Sequence, residues 1–444
     1  MYPYIPITDT EEREMLKVIG AESADDLFNI IPKKFRLEKE PNLPLSKSEP
    51  EVLSILKNLS NLNKNANQMP CFMGAGSYDH YIPTVIDYIA SRSEFLTSYT
   101  PYQPEISQGT LQYIFEFQTF ICRLTGMDVA NASLYDLATA FAEAAIMASN
   151  VMRKKEIAVS KTCNPDYIKV LKTYCHYQNI KVIEVEAEDG ETSLDDLKSK
   201  LTKDTAGFIM QSPNFYGILE NVKEAASIVH ENNKKSSMIL SADPFTLGVL
   251  KSPAKQDVDV VIGEAQSLGI PMSFGGPYIG IIAARESYMR KLPGRLVGET
   301  VDRNKKRSYV LTLASREQHI RRDKATSNIC SNEGINSLIC AMYMSLLGKE
   351  GMREVAEQAF SKAHYAFDEI TKSGKFKALY NKPFFLEFAI KAPVSAEKIN
   401  EALLKEGILG GVKLPDDPNA ILFAVTEKRT KEEIDKLVRV LEAL

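Results

Sequence analysis

The sequence is short of the residue patterns that build metal and redox centres. Its six cysteines (Cys71, Cys122, Cys163, Cys175, Cys330 and Cys340) include no CxxC pair, and Cys163 and Cys175 have no histidine at zinc-binding spacing. Scattered through a long chain, they read as buried free thiols rather than a disulfide framework. Five histidines without an HExxH pattern argue against a catalytic metal. No apolar run reaches the ~18–20 residues that span a bilayer, so no membrane partner is expected. Basic residues are not in excess: 54 Lys and Arg stand against 58 Asp and Glu, a net charge of −4. That balance gives no electrostatic reason for a nucleic-acid partner. Residues 1–9 carry two prolines and no basic run, so no signal peptide is expected and the cytoplasm is the default location.

The composition that remains, 44% hydrophobic and 25% charged over 444 residues, is that of a globular chain with room for a large domain and smaller ones beside it. Thr8 with Glu11 forms a capping-box pattern, Gly20 stands where a helix would end, and Ser23 with Asp26 starts a second helix. Prolines 41, 44 and 50 mark a connector before a helix over 51–61. Residues 1–65 therefore read as an N-terminal helical arm. From about residue 70 the pattern alternates. Helices are expected over 111–125, 135–153, 165–177 and 223–232, with apolar strands over 157–160, 182–185, 207–211, 238–241, 258–262 and 278–284. Such βα alternation predicts a parallel-rich sheet covered on both faces, over 66–333. A long helix after Gly334 leads into a C-terminal α+β domain, 334–444. Its strands are expected over 384–390 and 421–426 and its helices over 396–406 and 432–444, the last capped by Thr430 and Glu433.

One further absence is local. Residues 258–277, VDVVIGEAQSLGIPMSFGGP, run from an apolar strand through a polar turn into a glycine-rich loop and a second strand. This layout resembles the Schiff-base segment of pyridoxal-phosphate enzymes, in which the turn carries a lysine. Here Gln266 stands in its place, and an amide nitrogen cannot condense with the cofactor aldehyde. The whole arrangement is similar to a fold type I pyridoxal-phosphate enzyme: a large α/β domain, a smaller C-terminal α+β domain and a helical arm.

Three more segments carry possible chemistry: GAGSYDHYIP at 74–83, SYTPYQPEISQG at 98–109 and SREQHIRRDKATSNIC at 315–330. In the second, Pro101 and Pro104 stiffen a loop bearing Tyr99, Thr100, Tyr102, Gln103, Glu105, Ser107 and Gln108. It reads either as a provider of polar groups to a pocket or as an ordinary surface loop. The last segment gathers Arg316, Arg321, Arg322 and Lys324, suited to carboxylates or phosphates, with Thr326, Ser327 and Asn328 as neutral donors or helix caps. The alternative is a solvated basic turn paired with Glu317 and Asp323. His319 is either an acid–base group or structural. Asp243 lies near a strand end, where these enzymes hold the cofactor's pyridine nitrogen; without a lysine it is a relic of the fold or a cap. Residues 132–139 precede a helix but lack the glycines of a phosphate cradle, and 274–277 read as a tight turn.

Taken in order, these segments resemble the glycine cleavage system P-protein, the decarboxylating glycine dehydrogenase, over essentially the whole chain from Tyr4-Ile5-Pro6 onward. Within that family the chain is similar to the N-terminal-half subunit of the two-chain form. The resemblance implies that a homologous, lysine-bearing subunit 2 holds the pyridoxal phosphate. It further implies that glycine is decarboxylated there, that the aminomethyl group passes to the lipoyl arm of H-protein, and that the assembly is a heterotetramer of two unlike pairs. On that reading the loops around Tyr102 and Arg322 complete the partner's pocket. Two rivals stand beside it. In one the chain is a purely structural or regulatory subunit that supplies no pocket residue. In the other it is a pyridoxal enzyme using a different lysine, such as Lys251 or Lys255.

Overall fold

The computed structural model describes residues 6–39 and 41–444; Tyr4 and Ile5, and most of the 1–9 stretch read above, lie outside them. The chain forms two compact units, one ending at Lys64 and one spanning Asn65–Leu444. In the first, Asp9–Ile19 is helical behind the expected capping box. The Thr8 N–H donates to Glu11 Oε2 at 2.8 Å, the Glu11 N–H donates to Thr8 Oγ1, and Gly20 closes the helix at φ +81°. The second expected helix is a single 3-10 turn, Ala24–Phe28. The next helix, Glu49–Ser60, starts earlier than expected and takes Pro50 into its first turn, where a missing N–H leaves no hydrogen bond unmade.

The Asn65–Leu444 unit is built on a seven-stranded sheet. In spatial order its strands are Val129–Ala130, Gly280–Ala284, Val260–Glu264, Ser237–Ser241, Thr205–Gln211, Glu156–Ser160 and Lys181–Val185. The last five run parallel; Gly280–Ala284 is antiparallel to both its neighbours. Alternation of side chains sorts the central strands onto two cores. Ile157, Val159, Ile209, Ile239, Val260, Ile262 and Ile282 pack with Phe141, Ala144 and Ala148 of the helix Leu137–Met152. Ala158, Phe208, Met210, Met238, Leu240, Val261 and Ile281 pack with Phe117 and Ile121 of Gln108–Thr125 and with Cys340 and Tyr343 of Gly334–Thr371. Burial on both faces explains why these strands read as continuous apolar runs.

Departures from the sequence reading have local causes. The strand expected over 258–262 is Val260–Glu264, because the glutamate is buried and hydrogen-bonded rather than ending the strand. The hairpin Leu296–Val301/Arg307–Thr312 was not expected, since its residues alternate too weakly in hydropathy; it pairs in register, Leu296 opposite Thr312. The long helix is broken by Gly348 at φ 58°, ψ −169°. The C-terminal region forms a four-stranded antiparallel sheet around Glu387–Lys391 and Ala420–Ala424, covered by Ala396–Lys405 and Lys431–Glu442. Thr430 and Glu433 form the expected capping box. Among the described residues no helix is long and apolar enough to cross a membrane.

Ile239 is fully buried at the centre of the sheet, so Ile239→Ala should destabilise the fold by about 2–5 kcal/mol. Thr430→Ala, which removes only a cap, should cost about 1 kcal/mol. Urea unfolding of the two variants checks the ranking.

Candidate functional site

Gln266 opens the turn after strand Val260–Glu264 and is 1% exposed. Its amide pairs with the backbone of one residue of the 74–83 segment: Oε1 accepts the Tyr78 N–H at 2.9 Å and Nε2 donates to the Tyr78 carbonyl at 3.0 Å. Nε2 also donates to the Ile270 carbonyl at 2.7 Å. A lysine ammonium donates only and has nothing to offer the Tyr78 N–H. Gln266 is therefore a clamp, and it draws the 74–83 segment across the end of the sheet. The other side of that segment is held by the C-terminal sheet, where Glu387 accepts from the Ala75 N–H and, at 2.7 Å, from the Tyr78 hydroxyl. Backbone approaches closely here: a Cβ at Gly76, whose φ is +109°, would lie 2.3 Å from the Tyr167 hydroxyl.

Beneath this strap, Glu264 bridges two elements. Its Oε2 accepts the N–H of Leu137, the first residue of helix Leu137–Met152, at 3.1 Å, and its Oε1 accepts from Ile279 at 3.0 Å. Asp136 caps the same helix, accepting the Thr139 N–H at 2.7 Å. The N–H groups at a helix start are where an anion binds, and here side chains of the chain itself, Glu264 and Asp136, hold two of them. Asp243 is likewise engaged. It accepts the Phe245 N–H at 3.0 Å and the Ser267 hydroxyl at 2.9 Å, which makes it a local turn cap tied to the residue after Gln266. Burial is the first cause of a raised pKa at all three carboxyls; it pushes Glu264 up to about 8 and Glu387 to about 7, and raises Asp243.

Between Gly76, Tyr78, Tyr167, Glu264, Ser267 and Glu387 a cavity of about 30 Å³ remains. That is space for a water molecule or two, an order of magnitude below the ~300 Å³ where small-molecule pockets begin. Three carboxyls, an occupied helix start and no lysine do not fit a pyridoxal phosphate. Lys251 and Lys255 lie exposed, outside the cavity lining.

A second constellation forms where the 98–109 and 315–330 segments meet. The rings of Tyr102 and His319 stand edge to face at 5.9 Å. His319 Nδ1 lies 3.6 Å from Glu317 Oε2, and Glu317 faces the Nε of Arg295 at 3.4 Å. Arg295, 3% exposed, also donates to the Tyr102 hydroxyl at 3.2 Å. Sequence reasoning missed Arg295; an arginine set directly before the apolar pair Leu296-Val297 was the available signal.

Other candidates in these segments are engaged elsewhere. Gln108 sits in the first turn of its helix, where its Oε1 accepts the Tyr309 N–H and its Nε2 donates to the Tyr309 carbonyl, at 2.9 and 2.8 Å. Ser107 is the N-cap of that helix. Arg316 donates to the carbonyls of Leu313, Leu292 and Gly294, and burial lowers its pKa. Tyr99, Gln103, Glu105, Arg321, Arg322, Lys324, Thr326 and Asn328 are exposed, and Thr100 is half-buried.

The family model of the glycine cleavage system P-protein matches residues 2–441. The chain belongs to that family. It is 51% identical over 445 residues to the probable glycine dehydrogenase (decarboxylating) subunit 1 of Listeria innocua serovar 6a, with 99% of each chain covered. A crystal structure of glycine decarboxylase (P-protein) of the glycine cleavage system, in inhibitor-bound form, is 40% identical with a TM-score of 0.91 and 99% of both chains covered. A C-DES mutant solved with glycine covalently linked to its PLP cofactor shares the fold at 12% identity, with a TM-score of 0.62 over 86% of this chain and 100% of that one. This P-protein chain thus has the fold of the fold type I pyridoxal-phosphate enzymes. It is a glycine dehydrogenase (decarboxylating) chain of the subunit 1 kind.

Two measurements follow from the P-protein pocket. Gln266→Lys removes the acceptor of the Tyr78 N–H and buries an ammonium, so it should destabilise the fold by about 2 kcal/mol or more. It should also yield no borohydride-trappable imine with added pyridoxal phosphate; an adduct at position 266 would show that the pocket opens. Glu264 and Glu387 lie above their ordinary value of 4.5, at about 8 and about 7, so the folded chain holds protons the unfolded chain releases. Their contribution is whole below about pH 4.5 and is lost as pH rises through about 7 and then about 8. Melting temperature should therefore fall across that window, and less steeply in Glu264→Gln.

Proposed function

We propose that this chain is the cofactor-free half of a two-chain glycine decarboxylase. Pyridoxal phosphate is the cofactor of the fold to which it belongs. In our reading a homologous, lysine-bearing subunit 2 binds it, in a heterotetramer of two unlike pairs. There glycine loses carbon dioxide, and its aminomethyl group passes to the lipoyl arm of H-protein. The observation that carries this reading is the filled pocket: Gln266 clamps Tyr78, and Glu264 holds the Leu137 N–H. A chain so closed performs the family's reaction only with a pocket elsewhere. The six free cysteines accord with a reducing compartment, and we place the assembly in the cytoplasm.

This chain's own contribution to the reaction is, in the same reading, the junction of the 99–108 and 316–328 segments, which completes the partner's pocket. Tyr102 and His319 present an aromatic hydroxyl and an imidazole at half-exposed positions backed by buried charge. Exposed Arg321, Arg322 and Lys324 beside them supply positive charge that suits the carboxylate of glycine or the approach of an acidic carrier. The engagement of Gln108 and Arg316 on backbone groups favours a second reading, in which the chain supplies only scaffold.

The test is reconstitution. The chain alone should show no reducible imine with pyridoxal phosphate, and the mixture with its partner should show one on the partner, with glycine-dependent decarboxylation. Tyr102→Phe or Arg322→Ala should lower turnover while the assembly stays intact. Full turnover in both, with loss only when the interface is disrupted, would favour the scaffold reading.

A further inference from the structure

The two chemistry-bearing segments of this chain are joined through a residue that belongs to neither. Arg295 sits in a turn, 292–295, whose carbonyls at Leu292 and Gly294 accept the guanidinium of Arg316. One residue on from each partner the contact reverses, and Arg295 faces the carboxylate of Glu317 at 3.4 Å. The turn and the start of the 315–330 segment thus clasp each other in both directions. The backbone of Arg295 is fixed as well, since its carbonyl accepts the Ala132 N–H at 2.9 Å.

From this fixed base the planar guanidinium reaches three ways. Nε faces Glu317. One terminal nitrogen donates to the Tyr102 hydroxyl at 3.2 Å, with the guanidinium carbon 5.3 Å from the ring centroid. The other points to Asn332 Oδ1 at 3.4 Å, and Asn332 in turn donates to Ser133 Oγ at 3.1 Å. Glu317 reaches on to His319, whose ring packs edge to face on Tyr102. A lysine has one nitrogen and no plane, so it cannot serve the three directions at once.

The hydrogen bonding is unlike that of a structural arginine. Arg316, the residue directly before Glu317, places Nε and both terminal nitrogens on backbone carbonyls. Arg295 is more deeply buried, yet its contacts run from 3.2 to 3.4 Å and its Nε has no partner in hydrogen-bond geometry. A buried donor left short in a native structure calls for a reason other than stability. Its neighbours Tyr102 and His319 supply one, since both are exposed while the groups that orient them are not.

We propose that Arg295 is the positioning residue of the partner-facing site, holding Tyr102 directly and His319 through Glu317 in one fixed relation. The proposal rests on the reading that these two segments complete the partner's pocket. It adds that the geometry of that pocket wall is set from outside both segments, by one guanidinium.

The experiment uses the co-purified two-chain enzyme and measures glycine-dependent decarboxylation, separating kcat from KM, with assembly followed by size-exclusion chromatography. Arg295→Lys, which keeps the charge and loses the fork, should lower kcat on the order of tenfold to a hundredfold, as a misplaced group does, with the complex still formed. Tyr102→Phe should cost much less in that background than in the parent, because the hydroxyl is no longer placed. Glu317→Gln should show the same coupling to Tyr102→Phe, and it carries the test if Arg295→Lys does not assemble. Full turnover in Arg295→Lys, or losses that simply multiply in the double variants, overturns the assignment of Arg295. Unchanged turnover in both Tyr102→Phe and His319→Asn overturns instead the pocket reading on which it stands.

Discussion

The pairing of one side-chain amide with the N–H and carbonyl of one residue, Gln266 with Tyr78, sets the state of the whole pocket. A carboxamide has the donor and acceptor of a peptide group side by side, so it extends the backbone's own pattern of bonding where no strand is available. It joins residues 188 positions apart in sequence, and with Glu387 on the other side it fixes the 74–83 segment between the large sheet and the C-terminal sheet. The device recurs. Gln108 pairs in the same way with Tyr309, and Gln118 with Val297 at 3.0 Å in both directions. Those two bind the two strands of the hairpin to the helix Gln108–Thr125. The helix that carries the end of one chemistry-bearing segment is thereby locked to the hairpin that leads into the other.

This explains what was legible in the sequence and what was not. The apolar runs at 157–160, 207–211 and 238–241 stand out because strands buried on both faces leave no polar alternation, and each is a strand. The caps at Thr8 and Thr430 are legible because their partners are three residues away. The hairpin at 296–312 is half-buried and ragged in pattern, and what anchors it, hydrogen bonds from Gln108 and Gln118 and packing on Leu111 and Ile114, lies in no local window. The missing lysine was visible at Gln266, since it is a question of residue type. That Glu264 occupies the helix start was not, because Leu137 lies 127 residues away. Arg295 was missed for the same reason: its partners Tyr102, Glu317 and Asn332 come from three separate segments.

Charge is arranged oppositely in the two regions. The closed pocket gathers Asp243, Glu264 and Glu387 among tyrosines, with burial raising the pKa of each. The junction of the loops gathers arginines and a histidine around a single buried carboxylate, Glu317. The lining of the first offers an anion no arginine, lysine or histidine, whereas the second sets such groups around its carboxylate.

The buried carboxyl group of Glu264 at the start of helix Leu137–Met152 acts as a tethered competitor for its N–H groups. It is attached to a strand of the same sheet and held by two backbone N–H groups, 3.0 and 3.1 Å away. Its effective concentration at that helix end exceeds the millimolar range that even a flexible tether provides. A diffusing phosphate ester would have to displace a hydrogen-bond acceptor that never leaves, so restoring an amine at position 266 would not by itself reopen the site. The closed pocket is a bound state, with the chain as its own ligand.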